Sequence, residues 1–389
     1  MPPENQQGQG NRHSHCPVMA KPTMVPTSSS ASLQNPMDPE PSQEPPSPPR
    51  TSATSPSVEK TEIDGVSCLR NSFTNYNISG HVADILMASW RPGTQKQYKT
   101  YIEQWLKFCG ERKINCYSPQ MGEALDFLAG LYDKHLSYST LNTARSALSS
   151  ILHMNTCSNF GSHPLTVRFM KGVFEKRTPH PKYNKIWDVS LVLNYLTTLD
   201  PVEKLTLKDL TLKLLMLLLL ITGQRGQSIH LLNITTMHLS DTSCVFNLTS
   251  HTKTSKPGKL ASAITIQAFQ QDCRICPIKT LKEYLKRTHT IRGDEHQLFI
   301  SFVKPHKSVS RDTISRWAKI VLQRSGIDTE LFTSHSTRAA SVSKAKQKDV
   351  PLDEILSQAG WSTADTFRKF YDKPIMSSND SMASAILTH

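Results

Sequence analysis

The sequence predicts a mainly α-helical protein with one small β-sheet, divided into a helical unit and a following mixed α/β unit. Three observations carry this. Apolar residues recur at helical spacing through successive segments between residues 95 and 177, two short β-type runs flank a Pro-Gly turn at Pro257-Gly258, and helical spacing then resumes as far as Tyr371.

Residues 1 to 80 stand apart from both units. Thirteen of the 24 prolines fall in the first 60 residues, with runs such as Ser28-Ser-Ser30 and Pro45-Pro-Ser-Pro-Pro49. Proline removes backbone donors and the stretch has too little apolar periodicity to offset ordering entropy, so a disordered tail is expected over residues 1–80. The 45 Lys and Arg outnumber 32 Asp and Glu; the tail holds five basic and seven acidic side chains, which leaves 40 and 25 in the rest, about +15. Such a field favours a polyanionic partner.

The helical unit is read as four helices. From Gln95 to Arg112 one face carries Tyr98, Ile102, Trp105, Leu106 and Cys109. Ser118-Pro119 is read as the start of the next, because Ser caps free amides and Pro has no amide needing a partner; it runs through Ala124, Leu125, Phe127, Leu128 and Leu131. A third follows Ser139 with Leu141, Ala144, Leu148, Ile151 and Leu152, and a fourth follows Pro164 with Val167, Met170, Val173 and Phe174. Basic residues including Lys96, Lys99, Arg145, Arg168 and Lys171 suit a phosphate-facing surface. Thr178-Pro-His-Pro-Lys-Tyr-Asn184 reads as an extended linker.

The second unit begins near Trp187, with Asp188 capping a helix. A long apolar helix follows from about Thr206 to Thr222, ends at Gly223, and Arg225 to Leu232 start a short one. Strands are expected over 245–249 and 261–266, with Leu298 to Phe302 as a possible third. Further helices are expected at 276–288, 312–325, 334–348, 352–359 and 364–372. The apolar run Leu214 to Ile221 is far short of a membrane span, so it is read as core. Eight scattered cysteines and no apolar leader do not suit a secreted disulfide scaffold. Cys273-Arg-Ile-Cys276 lacks the second half of a zinc site and reads as an ordinary pair; no metal or cofactor is expected.

The last quarter gathers the side chains that phosphoryl transfer to a hydroxyl needs: an aligned nucleophile and cations for the non-bridging oxygens. His335-Ser-Thr-Arg338 places two of them three apart, hence on one helical face, and Trp361 and Tyr371 follow. With Thr222-Gly-Gln-Arg-Gly-Gln-Ser-Ile-His-Leu-Leu232, Lys253-Thr-Ser-Lys-Pro-Gly258, Leu281-Lys-Glu-Tyr-Leu285, Phe332-Thr-Ser-His-Ser-Thr-Arg-Ala-Ala340 and Ala359-Gly-Trp-Ser-Thr-Ala-Asp-Thr-Phe-Arg-Lys-Phe-Tyr371, the chain resembles the tyrosine recombinases of the phage-integrase-like superfamily. Within them it is similar to the enzymes of DIRS-type retrotransposons and crypton elements.

That resemblance implies a helical core-binding, SAM-like domain over 81–177, a linker over 178–186, a mixed α/β catalytic domain over 187–375 and a flexible or protomer-exchanging tail over 376–389. It implies that Tyr371 attacks the scissile phosphorus and stays joined to the DNA 3′ end, releasing a 5′ hydroxyl. Arg225 and Arg338 hold the phosphate, and His335 assists with the nucleophile's proton. Lys253 is the general acid for the leaving oxygen, with Lys256 an alternative three residues on. Trp361 occupies the family's His-or-Trp position, where its indole N–H can donate to a phosphate oxygen, or serve as core, or both. The expected partners are double-stranded DNA and further copies of the chain, four on DNA, with no membrane, and the expected location is the nucleus if the source is a eukaryotic mobile element. Two departures stand out: Ser228 replaces an acid common three residues after the first arginine, and Trp361 to Tyr371 is one residue longer than usual. A protein that binds DNA without chemistry and a topoisomerase that relaxes DNA without exchanging partners are the other readings.

Overall fold

The computed structural model describes residues 70, 77–152, 159–250, 252, 255 and 263–376; most of the expected N-terminal tail, both hairpin lysines and the segment beyond Met376 lie outside the described residues. The chain divides into two compact units, Met1–His180 and Pro181–His389.

In the first unit a short helix, α1 (Gly80–Ala88), precedes the four that periodicity predicts: α2 (Pro92–Arg112), α3 (Met121–Asp133), α4 (Tyr138–Ser149) and α5 (Pro164–Lys176). α1 begins where the sequence had been read as tail, and Ser79 caps it by accepting from the Val82 amide. Pro92 and Pro164 open α2 and α5, where a missing N–H costs nothing. α3 starts two residues later than Ser118-Pro119 suggests, because Gln120 and Glu123 form a reciprocal capping box with a Gln120 amide to Glu123 Oε2 bond of 2.8 Å. Ser137, rather than Ser139, caps α4.

Ile102, Trp105, Phe127, Leu128, Leu131, Leu141, Leu148 and Met170 close the core of this unit. On α5 the inward stripe is Thr166, Met170 and Val173, so Val167 and Phe174, read as core, are half-exposed at 50% and 41%. The spacing i, i+4, i+7 selects one stripe, and a polar Thr lying on it hid that choice from the hydrophobic pattern. Trp105 is fully buried, its indole N–H donates to the Cys116 carbonyl at 2.9 Å, and its ring meets Phe127 edge-on. Trp105→Ala therefore costs this unit about 3–5 kcal/mol through cavity formation, and leaves a carbonyl unpaired. The shift of the urea unfolding midpoint measures it; a loss below about 1 kcal/mol would show that the ring is not a core element.

The second unit comprises α6 (Val189–Thr198), α7 (Leu207–Thr222), α8 (Gly226–His230), α9 (Pro277–Thr288), α10 (Arg311–Arg324), α11 (Ser336–Gln347), α12 (Leu352–Ala359) and α13 (Ala364–Phe370). α7 is its axis. Every side chain from Leu210 to Leu220 is buried, as a helix apolar all round must be, and α9, α10 and α11 pack around it. Lys213 is the exception in kind: it is fully buried among the leucines and donates to the Leu199 carbonyl, and burial lowers its pKa.

The sheet is antiparallel in the order β1 (Met237–Leu239), β2 (Ser243–Phe246), β3 (Ile264–Gln267), with Met237 opposite Phe246 and Ser243 opposite Gln267. Its third strand is thus β1, not Leu298 to Phe302, which instead forms one isolated bridge, Ile300 with Ser308, beside another between Asn233 and Gln297. Three residues, two of them exposed, give β1 almost no alternation to read. The residue range read as linker also ends early. Ile186 is fully buried in the core of the second unit, and its backbone pairs with that of residues 374–376: its amide donates to the Pro374 carbonyl at 2.8 Å and its carbonyl accepts from the Met376 amide at 2.6 Å.

Candidate active site

Five of the second unit's helix ends converge on one place. α7 stops at Gly223, whose φ of +56° is left-handed, and a Cβ there would come within 3.1 Å of Val342 Cγ1, so glycine is needed for both conformation and space. The turn frees the Gly223 carbonyl and sets Arg225 at the cap of α8. α11 has His335 at its own cap and Arg338 in its first turn. α12 ends at Gly360, also left-handed at φ +71°, which delivers Trp361, and α13 ends one residue before Tyr371. The nucleophile candidate is therefore a cap residue, not the helical residue that the range 364–372 implied.

Tyr371 and His335 are in contact, with 3.0 Å between the phenol oxygen and Nε2. Which atom donates depends on the imidazole tautomer. Arg338 lies beneath them with 1% of its surface exposed. Its guanidinium stacks 3.8 Å above the Trp361 ring and 5.3 Å from the Tyr371 ring, and one terminal nitrogen donates to the Gly223 carbonyl at 2.6 Å. Nε and the other terminal nitrogen are buried with no partner. Burial first, then the like charge of Arg225, push the Arg338 guanidinium down to about 9, with Tyr371 acting the other way. A guanidinium keeps its proton at neutral pH, so the shift expresses the cost of burying this cation beside a second one.

Trp361 is buried at 7% exposure and packs on Phe367 and Tyr371, its ring 4.8 Å from that of Tyr371. It offers Arg338 the face of the indole; its N–H is buried with no partner. Of the two parts of the sequence reading, core residue and donor, the packing role is the one this geometry displays. Ser228, in the position where an acid was noted as missing, is buried, with its amide bonded to the Arg225 carbonyl at 2.8 Å. Lys253 and Lys256 lie outside the described residues; of their neighbours, the Ser255 amide donates to the Thr252 carbonyl at 3.1 Å.

Sequence reasoning missed the residues that hold these parts together. Gln224 Nε2 donates to the Gln358 carbonyl at 2.7 Å and Gln358 Nε2 to the Thr265 carbonyl at 3.1 Å, tying the Arg225 turn, α12 and β3. The Trp187 indole donates to Ser336 Oγ at 2.8 Å at the start of α11. Ser343 and Lys346, farther along α11, both bond to the chain around Tyr371. Glutamines and serines of this kind leave no periodic signal. The arrangement offers a phenol nucleophile, a proton acceptor in contact with it, and two cations facing one space. Among the described residues no three His, Cys, Asp or Glu side chains converge as a metal site would need, and no helix is long and apolar enough to cross a membrane.

Comparison with known proteins agrees with this geometry. The model of the phage integrase family matches residues 194–375, and that of the phage integrase N-terminal SAM-like domain matches residues 79–154. No curated protein sequence matches the chain. Among solved structures, XerH site-specific recombinase bound to palindromic difH substrate in a post-cleavage complex is 17% identical, with a TM-score of 0.53, covering 76% of this chain and 80% of that one. The pre-cleavage complex of XerH with difH is 13% identical, with a TM-score of 0.50, covering 85% and 98%. At these identities the likeness speaks for a shared fold, mainly helical with a small sheet in the second unit. Matched in order through both folded units, the chain belongs to the phage integrase family, the tyrosine recombinases.

Proposed function

We propose that the protein cuts and rejoins double-stranded DNA at specific sites through a 3′-phosphotyrosine on Tyr371, serving the integration or excision of a mobile element. One observation carries the reading: the Tyr371 phenol sits 3.0 Å from His335 Nε2 and its ring lies 5.3 Å from the guanidinium of a buried Arg338. In the reaction the phenol oxygen bonds to phosphorus, its proton passes to His335, and the bond to the 5′ oxygen breaks. That oxygen takes a proton from Lys253, or from Lys256. Arg225 and Arg338 hold the non-bridging oxygens as charge builds in the five-coordinate transition state. Attack by a free 5′ hydroxyl on the phosphotyrosine reverses the sequence and rejoins the strand, so neither nucleotide nor metal is consumed.

The excess of basic residues supports duplex DNA as partner. Exchange between two duplexes takes four cleavages, and one chain supplies one tyrosine, so four copies on DNA complete the reaction. The residue runs from Phe332 to Ala340 and from Ala359 to Tyr371 support a place near the DIRS and crypton enzymes within the family.

The test begins with duplexes selected from a random pool by the protein's own binding. Nicked versions of these, incubated with protein and separated under denaturing conditions, yield protein joined to the 3′ end. Salt-sensitive binding without any adduct would identify a binding-only protein instead. EDTA leaves the rate of adduct formation within about two-fold, because side-chain cations stand where a two-metal nuclease has its ions. A ten-fold or greater fall on chelation, restored by a divalent ion, would contradict the mechanism.

A further inference from the structure

The helix that presents His335 and Arg338 also grips the chain around the nucleophile. Five residues past Arg338, Ser343 is buried, and its hydroxyl donates to the Tyr371 carbonyl at 2.8 Å while accepting from the Lys373 amide at 3.1 Å. One turn farther, Lys346 Nζ pairs with Asp372 Oδ2 at 2.5 Å. Three consecutive residues, Tyr371, Asp372 and Lys373, are thus fastened to one face of α11. Tyr371 needs fastening, since it lies beyond the seven-residue α13 with a non-helical φ of −123°, and its side chain is long enough to magnify any error in its backbone.

Resting on the recombinase reading above, we propose that Ser343 is a positioning residue for the nucleophile: its hydroxyl locks the main chain of Tyr371 to the helix carrying His335 and Arg338, so that phenol, imidazole and guanidinium move as one piece. A hydroxyl suits the task because it donates and accepts at once, and this one uses both capacities on backbone groups in a partly buried place. The Lys346 to Asp372 pair is more exposed and adds less. Misplacing a reacting group by on the order of 1 Å costs about a hundred-fold in rate, and partial release of the carbonyl costs a fraction of that.

Two measurements test the assignment. In protein carrying tyrosine labelled with ¹³C at Cζ, the Tyr371 signal is identified by its absence from Tyr371→Phe. Ser343→Ala moves that signal toward the position of free tyrosine, and Ser343→Thr, which keeps the hydroxyl, leaves it in place. In single-turnover reactions on nicked duplex, Ser343→Ala slows adduct formation about ten-fold at saturating DNA with an unchanged half-saturating concentration, and Ser343→Thr recovers most of the rate. An unmoved Tyr371 signal in Ser343→Ala overturns the proposal, as does a rate loss that vanishes at saturating DNA. If wild-type protein forms no adduct, the recombinase reading fails, and the tyrosine signal alone still decides the role of Ser343.

Discussion

Tyr371→Phe forms no covalent adduct with nicked duplex DNA, while its affinity for the same DNA stays within about two-fold of wild type. The substitution removes a single oxygen. The remaining ring keeps its contacts with the Trp361 ring at 4.8 Å and the Arg338 guanidinium at 5.3 Å, so the cap of α13 and the packing beneath it are preserved. The lost hydrogen bond, to His335 Nε2, is at an exposed imidazole, which water can satisfy, so stability changes by less than about 1 kcal/mol. Chemistry, by contrast, has no substitute. The Tyr371 oxygen is the one in contact with His335 Nε2, and nucleophilic catalysis ends with the nucleophile. The measurement is the fraction of labelled 3′-end DNA retained with protein in a denaturing gel, beside a binding isotherm on intact duplex. A residual adduct in Tyr371→Phe would move the nucleophile to another residue and leave Tyr371 as packing for Arg338.

The sequence carried the helical architecture and most of the site because both are written in local pattern. α2 and α7 follow from apolar spacing and from Gly223 at a helix end, and the ordered motifs pointed to Arg225, His335, Arg338, Trp361 and Tyr371. What escaped was non-local or aperiodic. The third strand, β1, is three residues long and mostly exposed, and its pairing with β2 is set by the turn between them rather than by its own composition. The capping box at Gln120 outcompeted the more familiar Ser-Pro signal because two reciprocal bonds satisfy two orphan groups. Ser343 was invisible for a different reason. A serine in a helix rich in small residues signals nothing until the carbonyl it binds, 28 residues away, is placed beside it.

Arg338→Met separates catalysis from stability most sharply, since the residue is costly to the empty protein and indispensable to the reaction. The wild-type guanidinium is almost wholly buried, shares its surroundings with Arg225 and has no carboxylate partner among the described residues, with burial lowering it to about 9. The folded-state value lies below the unfolded one, so the unfolded chain holds the proton more tightly. The cost is present in full below about pH 9 and eases only above it. At neutral pH an anion, not a pH change, is therefore what relieves the cation. Methionine fills similar volume above Trp361 without the charge and loses the bond to the Gly223 carbonyl, and these effects offset, leaving the free protein's melting temperature at or above wild type. Sulfate, standing in for a phosphate diester, stabilises wild type by about 1.4 kcal/mol at ten times its dissociation constant, and this gain shrinks in Arg338→Met. Because general salt effects act on both proteins alike, the difference between the two sulfate titrations isolates the site. Adduct formation meanwhile falls by about a thousand-fold, as expected when a donor aimed at developing phosphate charge is lost. Thermal melts of both proteins in chloride and in sulfate, read beside single-turnover rates, check all three parts. A variant that melts well below wild type and keeps the full sulfate response would show that Arg338 is a structural cation already satisfied by its neighbours.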